Sequence, residues 1–274
     1  MLVVIWFLFG LLIGSFLNVC IHRWPPEESV VSPRSYCPKC KRTISWFDNI
    51  PVFSYILLRG RCRGCAESIS PRYPLVEILN PVLFALIVGR FGLTADSAKM
   101  MLFASMMIVL FFTDIAEYIL PDEITIGGTV IGFLLSPFLL LEDGLSSILF
   151  FFLGRNPEAW ARSLTESVLG AVLFGGVLFV IGEIYFRVRD IDGLGLGDVK
   201  MVAMIAAFWG VPQTMFVLIL GSIVAAIVGV LLIVVAKKDW KYALPFGSYL
   251  AAAAVLAMFW SQGILTWYWN QVAG

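Results

Sequence analysis

The chain has 274 residues, of which 60% are hydrophobic and only 14% are charged. Soluble domains are about 45–50% apolar and about 25% charged, so the apolar surface here exceeds what one globular core can bury. The 19 basic and 19 acidic residues balance, which argues against binding to nucleic acid or to a strongly acidic partner. The composition therefore predicts a membrane protein whose remaining apolar surface contacts lipid.

Long apolar stretches predict about eight transmembrane helices, because a bilayer core of about 30 Å needs about 20 apolar residues per helix. The second stretch is short and ends on Glu77, which needs a polar partner or a water-filled groove. The sixth is too short to cross a bilayer unaided. The expected spans are residues 2–21, 74–90, 98–116, 124–141, 164–186, 199–211, 213–236 and 244–262. The predicted fold class is therefore all-α and polytopic.

The basic residues predict the orientation of the chain, because Lys and Arg concentrate in cytoplasmic loops. Fifteen of the 19 lie in three segments that share one face of an eight-helix arrangement, namely residues 22–73, 187–200 and 237–241. This face is expected to be cytoplasmic, with both termini outside. The first apolar stretch has no basic residue before it, which favours a retained helix over a cleaved signal peptide.

Four of the five cysteines lie in the basic segment that follows the first helix. They form two Cys-x-x-Cys pairs separated by 21 residues, Cys37/Cys40 and Cys62/Cys65. This spacing suits a structural zinc ion with four thiolate ligands, one zinc per chain. The alternative is four reduced thiols without a metal, whereas disulfides are disfavoured in a reducing cytoplasm. The sequence thus predicts three parts: a helix at 1–21, a cytoplasmic zinc-binding loop at 22–73 and a seven-helix membrane domain at 74–274.

Carboxylates are the main candidates for catalysis, since the chain has one histidine, His22, and no Gly-x-Ser-x-Gly motif. Asp114 directly follows an apolar helical run, and ionisable residues inside membranes are functional candidates. The alternative for Asp114 is an interfacial acid that faces water. Asp122 follows Pro121 at the start of the next span, where a helix-capping role is expected.

A second acidic site lies just before the sixth predicted span, where Asp198 follows three glycines at alternate positions, Gly193, Gly195 and Gly197. Glycine permits positive φ and a close approach of backbone to a substrate. A phosphate-binding loop is disfavoured, because the segment lacks a Gly-Lys-Ser/Thr motif. Asp114 and Asp198 are both expected at cytoplasmic helix ends. Two close carboxylates cannot easily both ionise, so one could act as a base and the other as an acid.

The chain resembles the type IV prepilin peptidases, membrane leader peptidases with a Gly-x-Gly-Asp motif. The first part of the resemblance rests on Gly14-Ser-Phe-Leu-Asn18-Val, Arg23-Trp-Pro25, the two cysteine pairs, Ile44-Ser-Trp46-Phe-Asp48-Asn49-Ile-Pro51, Leu58-Arg59-Gly60-Arg61-Cys62 and Arg72-Tyr73-Pro74. The second part rests on Asp114 seven residues before Pro121, on Gly195-Leu-Gly197-Asp198 and on Pro245-Phe246-Gly247.

The resemblance implies an endopeptidase of the bacterial inner membrane with Asp114 and Asp198 as catalytic residues. Its substrates would be type IV prepilins and the pseudopilins of type II secretion, whose short basic leader is cut after a glycine. It also implies N-methylation of the new terminal residue with S-adenosylmethionine, although no residue of the sequence locates the donor site.

Two other classes of function stay open at this point: a transporter with an acidic ion path, and a non-catalytic membrane scaffold with a zinc-stabilised docking loop. Residues 142–163 form a longer outside segment than the resemblance predicts, and the sequence suggests no role for them.

Overall fold

The computed structural model describes residues 1–142, 144–190, 195–235, 237 and 244–272, with the backbone alone for 262, 265–270 and 272. The described residues contain no strand, so the predicted all-α class is confirmed. The helices are α1 (Leu2–Arg23), α2 (Phe53–Leu57), α3 (Arg72–Phe91), α4 (Ala95–Glu117), α5 (Asp122–Leu135), α6 (Leu145–Phe152), α7 (Ala159–Arg189), α8 (Leu196–Val234) and α9 (Phe246–Val272), with a 3₁₀ turn at Trp46–Asn49.

Five helices are long and apolar enough to cross a membrane, namely α1, α3, α4, α7 and α8. The apolar part of α9, Phe246–Ser261, is shorter. Helix α8 has 39 residues and is interrupted at Gly210, where φ is 75° and ψ is −173°, two residues before Pro212. Its two halves therefore correspond to the predicted spans 199–211 and 213–236, and each of the eight predicted spans overlaps a helix. The chain is a multi-pass membrane protein.

The fourth predicted span is longer than the helix found there. Helix α5 ends at Leu135 after 14 residues, whereas the span was expected to reach residue 141. Residues 136–138 form a turn, and the backbone leaves the helix before Glu142. A helix of this length rises only about 21 Å, which is less than the bilayer core.

The chain folds as two compact units, residues 1–112 and 113–274. In the first unit, α1 and α3 pack closely through two glycines in a Gly-x-x-x-Gly arrangement, Gly10 and Gly14. A Cβ atom at Gly10 would lie 2.6 Å from the Pro81 Cα, and one at Gly14 would lie 3.0 Å from the Glu77 Cα. Small residues of this kind let membrane helices approach until their backbones touch. The Asn80 amide also donates to the Gly10 carbonyl at 2.8 Å.

In the second unit, the first half of α8 forms the core, because α5, α7 and α9 all pack against α8. Met201, Met204, Ile205 and Phe208 are completely buried there. On α7, by contrast, side chains such as Val172 are largely exposed, as expected for helices whose outer faces contact lipid. The segment that starts with Asp198 is therefore held in the most tightly packed part of this unit.

A buried carboxylate on α7 joins three parts of the second unit. Glu166 is 1% exposed. Its Oε2 accepts the N–H of Gly144 at 3.2 Å and of Ser146 at 2.7 Å, and its Oε1 accepts the N–H of Val211 at 3.1 Å. These N–H groups open α6 and the second half of α8, and the first turn of a helix leaves its donors without intrahelical partners. Glu166 thus caps two helix starts and gives part of segment 142–163 a structural connection.

Candidate functional site

Asp114 lies near the end of α4 and is 5% exposed. Its Oδ2 accepts two hydrogen bonds from Ser248 in the first turn of α9, from the N–H at 2.7 Å and from the hydroxyl at 2.9 Å. The N-terminus of a helix carries a partial positive charge and free N–H groups, which favour a carboxylate at this position. The carboxylate of Asp114 is therefore held in one orientation. The sequence analysis missed Ser248, although it directly follows the Pro245-Phe246-Gly247 motif.

Asp198 lies in the first turn of α8, where its N–H donates to the Gly195 carbonyl at 3.1 Å. Its side chain is partly exposed. The carboxylates of Asp114 and Asp198 are close enough to interact electrostatically. The structure thus brings together two acids that are 84 positions apart in the sequence.

Two glycines and one leucine allow the helix ends to meet around the aspartates. A Cβ atom at Gly247 would lie 3.2 Å from the Asp114 Oδ2 and 2.9 Å from the Leu120 Cδ1. A Cβ atom at Gly197 would lie 3.1 Å from the Leu120 Cβ. The start of α8 and the start of α9 therefore both approach the Leu120 side chain, which is 8% exposed. A larger residue at Gly247 would press on the Asp114 carboxylate.

The expected conformation of the glycine segment is wrong in part. Gly195 has a φ of −67°, and Gly197 lies inside α8, so neither uses the left-handed region. The Asp198 Oδ2 would lie 3.4 Å from a Cβ at Gly195, an ordinary contact distance, and the close approach of a substrate to this backbone stays a prediction. Gly193 and Asp192 lie outside the described residues.

The expected capping role of Asp122 is also wrong. Pro121, and not Asp122, occupies the N-cap position of α5. Asp122 is instead the first helical residue and accepts hydrogen bonds from the Lys200 Nζ at 2.7 and 2.9 Å. The proline before it fixes the helix start, so the aspartate is free to form an exposed ion pair.

The four cysteines of the first unit form one cluster whose sulfur atoms all lie within 4.8 Å of one another. The Sγ atoms of Cys37 and Cys65 are 3.8 Å apart. A tetrahedral ion with metal–sulfur distances of about 2.3 Å places its ligands about 3.8 Å apart, so the cluster can hold a metal ion.

The two cysteine pairs have the same local structure. Lys41 donates its N–H to the Cys37 carbonyl, and Ala66 donates to the Cys62 carbonyl, both at 2.9 Å. Lys41 and Ala66 both have positive φ, 56° and 58°. An isolated antiparallel bridge closes each turn, Tyr36 with Thr43 and Arg61 with Ser68. Each turn thus aims two thiols at a common point.

The surroundings of Cys37 and Cys65 give these two thiols of the cluster different pKa values. The Cys40 backbone hydrogen-bonds to the Cys37 sulfur and lowers the pKa of this thiol to about 7. At Cys65 the Glu67 backbone acts in the same direction, but burial and the other three thiols outweigh it and raise the pKa to about 11. Cys37 therefore ionises at a lower pH than Cys65, and the Cys40 and Cys62 thiols donate hydrogen bonds to it. A cation can replace these protons.

Two family models match the chain: the bacterial Peptidase A24 N-terminal domain at residues 8–91, and the type IV leader peptidase family at residues 101–230. A prepilin leader peptidase/N-methyltransferase of Aeromonas hydrophila is 34% identical over 96% of this chain and 92% of its own length. The chain belongs to the type IV leader peptidase family. The enzyme of the same name from Pseudomonas aeruginosa is 30% identical over 95% of this chain and 91% of its own length. No solved structure matches the chain significantly.

Membership of this peptidase family confirms the enzyme class predicted from the sequence and disfavours the transporter and the scaffold. The N-terminal family model covers the cysteine cluster, and the type IV leader peptidase model covers both Asp114 and Asp198. Ser248 lies beyond the matched range. The family match therefore does not include Ser248 in the site, and its two hydrogen bonds to Asp114 are seen only in the structure.

Proposed function

We propose that this protein is an intramembrane aspartyl endopeptidase in which Asp114 and Asp198 together cleave the leader of type IV prepilins and type II secretion pseudopilins. The observation that carries the proposal is that these two carboxylates of the second unit, one on α4 and one on α8, lie close enough to interact electrostatically. The names of its relatives, prepilin leader peptidase/N-methyltransferase, support the substrate class.

The chemistry follows from two neighbouring carboxylates that share one proton. The ionised aspartate takes a proton from a water molecule, which attacks the carbonyl carbon of the scissile peptide. The protonated aspartate polarises the carbonyl oxygen and then protonates the leaving amine. Ser248 holds the Asp114 carboxylate through two hydrogen bonds, so the acid need not reorganise during the reaction.

The position of the aspartates suits the substrate. A prepilin has one apolar helix with a short basic leader, so its scissile bond after glycine lies at the cytoplasmic membrane surface. Asp114 is close to the last residue of α4, and Asp198 is in the first turn of α8. Arg187 and Arg189 at the end of α7 support a cytoplasmic location for this side. The protein would act in the bacterial inner membrane.

We further propose that the cysteine cluster holds one structural zinc ion. Cys37, Cys40, Cys62 and Cys65 would fill all four positions, so no position is left for a water molecule. The zinc would hold two short turns together in a segment that is too small and polar to form its own core.

The relatives' names also support N-methylation of the amine that cleavage releases. S-adenosylmethionine would supply the methyl group: the nitrogen–carbon bond forms while the sulfur–carbon bond breaks, the sulfur keeps the electron pair and the amine loses a proton. The chain must bind this donor and exclude water from it.

Purified protein in detergent, incubated with a synthetic prepilin, tests the peptidase proposal. Mass spectrometry should detect cleavage after the leader glycine by the wild-type protein and none by Asp114→Asn. A transporter or a scaffold would leave the prepilin intact. Intact prepilin with correctly folded wild-type protein would overturn the proposal.

A further inference from the structure

A cavity of about 440 Å³ lies within the first unit, between the end of α1, the cysteine turns and the start of α3. Sites for small ligands typically have volumes of about 300–1,000 Å³. Its walls include Asn18 and His22 from α1, Tyr36 and Cys37 from the first cysteine turn, and Arg72 and Glu77 from α3. The cavity is therefore large enough for a nucleoside-sized molecule.

Two polar side chains in the cavity wall have atoms without a hydrogen-bond partner. Asn18 is 3% exposed, and its amide nitrogen donates to the Tyr73 carbonyl at 3.0 Å. Its Oδ1 is buried and accepts no hydrogen bond from any described residue. The Nε of Arg72 is likewise buried, and nothing in the described part of the chain accepts its hydrogen. Buried polar groups nearly always have a hydrogen-bond partner. The Asn18 Oδ1 could therefore accept a hydrogen bond from a ligand, and the Arg72 Nε could donate one.

A strained backbone residue donates a hydrogen bond to Glu77, another residue of the cavity wall. Glu77 is 9% exposed, and its Oε2 accepts the Val52 N–H at 2.7 Å. Val52 has a φ of 62° and a ψ of −48°, a conformation that β-branched residues rarely adopt. Backbone strain of this kind is typical of binding sites that are built in advance of their ligand.

We propose that this cavity binds S-adenosylmethionine, with its amino-acid end between Asn18 and Arg72. The carboxylate of this end would accept a hydrogen bond from the Arg72 Nε, and its ammonium group would donate one to the Asn18 Oδ1. The proposal rests on the methyltransferase activity proposed above. An amino acid offers one anionic acceptor and one cationic donor, which match the two unpaired atoms of the wall.

The charges of the wall disfavour the basic leader of a prepilin, whereas S-adenosylmethionine has charges of both signs at its amino-acid end and a single further positive charge on its sulfonium. Four arginines line the cavity, Arg23, Arg42, Arg63 and Arg72, against three acids, Asp48, Glu67 and Glu77. Two of these acids already form ion pairs, Asp48 with Arg63 at 2.7 Å and Glu67 with Lys39 at 2.6 Å. A leader rich in lysine and arginine would meet mostly like charge here.

The cysteine turns link this cavity to the metal centre. Cys37 and Arg42 of the first turn, and Cys62 and Gly64 of the second, belong to the same wall. An ion that fixes both turns therefore fixes this side of the cavity, and loss of the ion should weaken binding of the donor.

The test is titration calorimetry of the full-length protein in detergent with S-adenosylhomocysteine, the demethylated form of the donor. Arg72→Met and Asn18→Leu should each raise its Kd by about 10- to 100-fold, the usual cost of a lost hydrogen bond to a charged group. Arg72→Lys should also bind weakly, because it keeps the charge but lacks the Nε. Arg90→Met is the matched control: Arg90 lies at the far end of α3, is exposed and does not line the cavity, so its Kd should be unchanged.

A second measurement on the wild-type protein does not depend on how the variants fold. Ultraviolet crosslinking of S-adenosylmethionine with a radioactive methyl group, followed by peptide mapping, should label residues between 15 and 77. Label between residues 113 and 274 would overturn the proposed site, and so would folded variants that bind as tightly as wild type. In either case, methylation of cleaved pilin by the wild-type protein would still support the methyltransferase function. Displacement of the homocysteine compound by a leader peptide would also overturn it. A wild-type protein that cleaves prepilin but neither binds the donor nor methylates would refute the methyltransferase proposal itself.

Discussion

At the scale of single residues, Asp114 and Asp198 lie where the end of α4 approaches the starts of α8 and α9. Asp114 accepts both hydrogen bonds from Ser248, and Asp198 interacts with it electrostatically. Asn has nearly the same shape as Asp but can neither carry the charge nor exchange the proton. Each single change to Asn should therefore lower kcat by at least about 10²–10⁴-fold, measured as initial rates on a synthetic prepilin.

The double variant distinguishes a catalytic pair from two independent acids. If both carboxylates act in one step, Asp114→Asn with Asp198→Asn should be little slower than either single variant. Asp122→Asn is the matched control, since its ion pair with Lys200 joins side chains that are 56% and 38% exposed. Exposed pairs contribute only about 0.2–1 kcal/mol, so this variant should cleave at close to the wild-type rate. Multiplicative losses in the double variant would contradict a shared mechanism.

At the scale of helices, Glu166 connects α7 to the starts of α6 and of the second half of α8. Glu166→Gln keeps the shape but replaces one accepting oxygen with an NH₂ group that faces an N–H donor. An unpaired buried donor costs about 1–3 kcal/mol, so thermal unfolding in detergent should begin at a lower temperature. Glu183→Gln on the same helix is the control, because its pair with Arg187 is exposed. Equal thermal stability of the Glu166 variant and wild type would show that these hydrogen bonds contribute little.

The cysteine turns are the second element with a testable role. Purified wild-type protein should contain about one zinc per chain, and Cys37→Ser or Cys62→Ser should lose it, as measured by inductively coupled plasma mass spectrometry. Cys20→Ala should retain it, since Cys20 is fully buried in α1 and is not part of the cluster. Because neither aspartate lies in this segment, methylation should fall more than cleavage. Full zinc content in both serine variants would refute the ligand set.

Retention of the metal should depend on pH in a definite direction. The Cys37 pKa of about 7 lies below the ordinary thiol value. In the metal-free cluster, Cys37 is therefore mainly a thiolate above pH 7 and mainly a neutral thiol below it. Metal binding displaces the thiol protons, and acid therefore competes with zinc. Bound zinc keeps its ligands deprotonated to a lower pH than in the metal-free cluster, so zinc content after dialysis should decrease only in acid, below the metal-free Cys37 pKa of about 7, and should not decrease between neutral and mildly alkaline pH.

Local sequence patterns predicted most of the helices and both aspartates. Apolar runs locate helices because each lipid-facing segment must satisfy its own backbone, and the predicted boundary between the spans 199–211 and 213–236 lies next to the interruption of α8 at Gly210. Local patterns did not predict features that depend on contacts between residues far apart in the sequence. The Asp114–Ser248 contact joins residues 134 positions apart, and the partners of Glu166 and of Asn18 are equally non-local. The Gly-x-x-x-Gly pair of α1 is a local pattern typical of closely packed membrane helices, but the sequence analysis did not use it.

At the scale of the whole molecule, the distribution of charge predicts the orientation in the membrane. Fifteen of the 19 lysines and arginines lie in residues 22–73, 187–200 and 237–241, and the remaining four are Arg90, Lys99, Arg155 and Arg162. Moving the larger set across the membrane would oppose the usual bias towards basic cytoplasmic loops. The cysteine turns and the helix ends that carry both aspartates are therefore expected on the cytoplasmic side.

Labelling of intact cells with a membrane-impermeant maleimide tests this orientation. Single cysteines introduced at Ala95, where α4 starts, and at Arg155, between α6 and α7, should react from outside. The native thiols provide an internal control: Cys40 and Cys65 are exposed, so they should stay unlabelled in intact cells but react after permeabilisation and removal of metal. Cys20 is buried and should not react under either condition. Labelling of Cys40 or Cys65 from outside would reverse the orientation. It would also place both the cluster and its basic segment in an oxidising compartment, where four thiolates would not persist as zinc ligands.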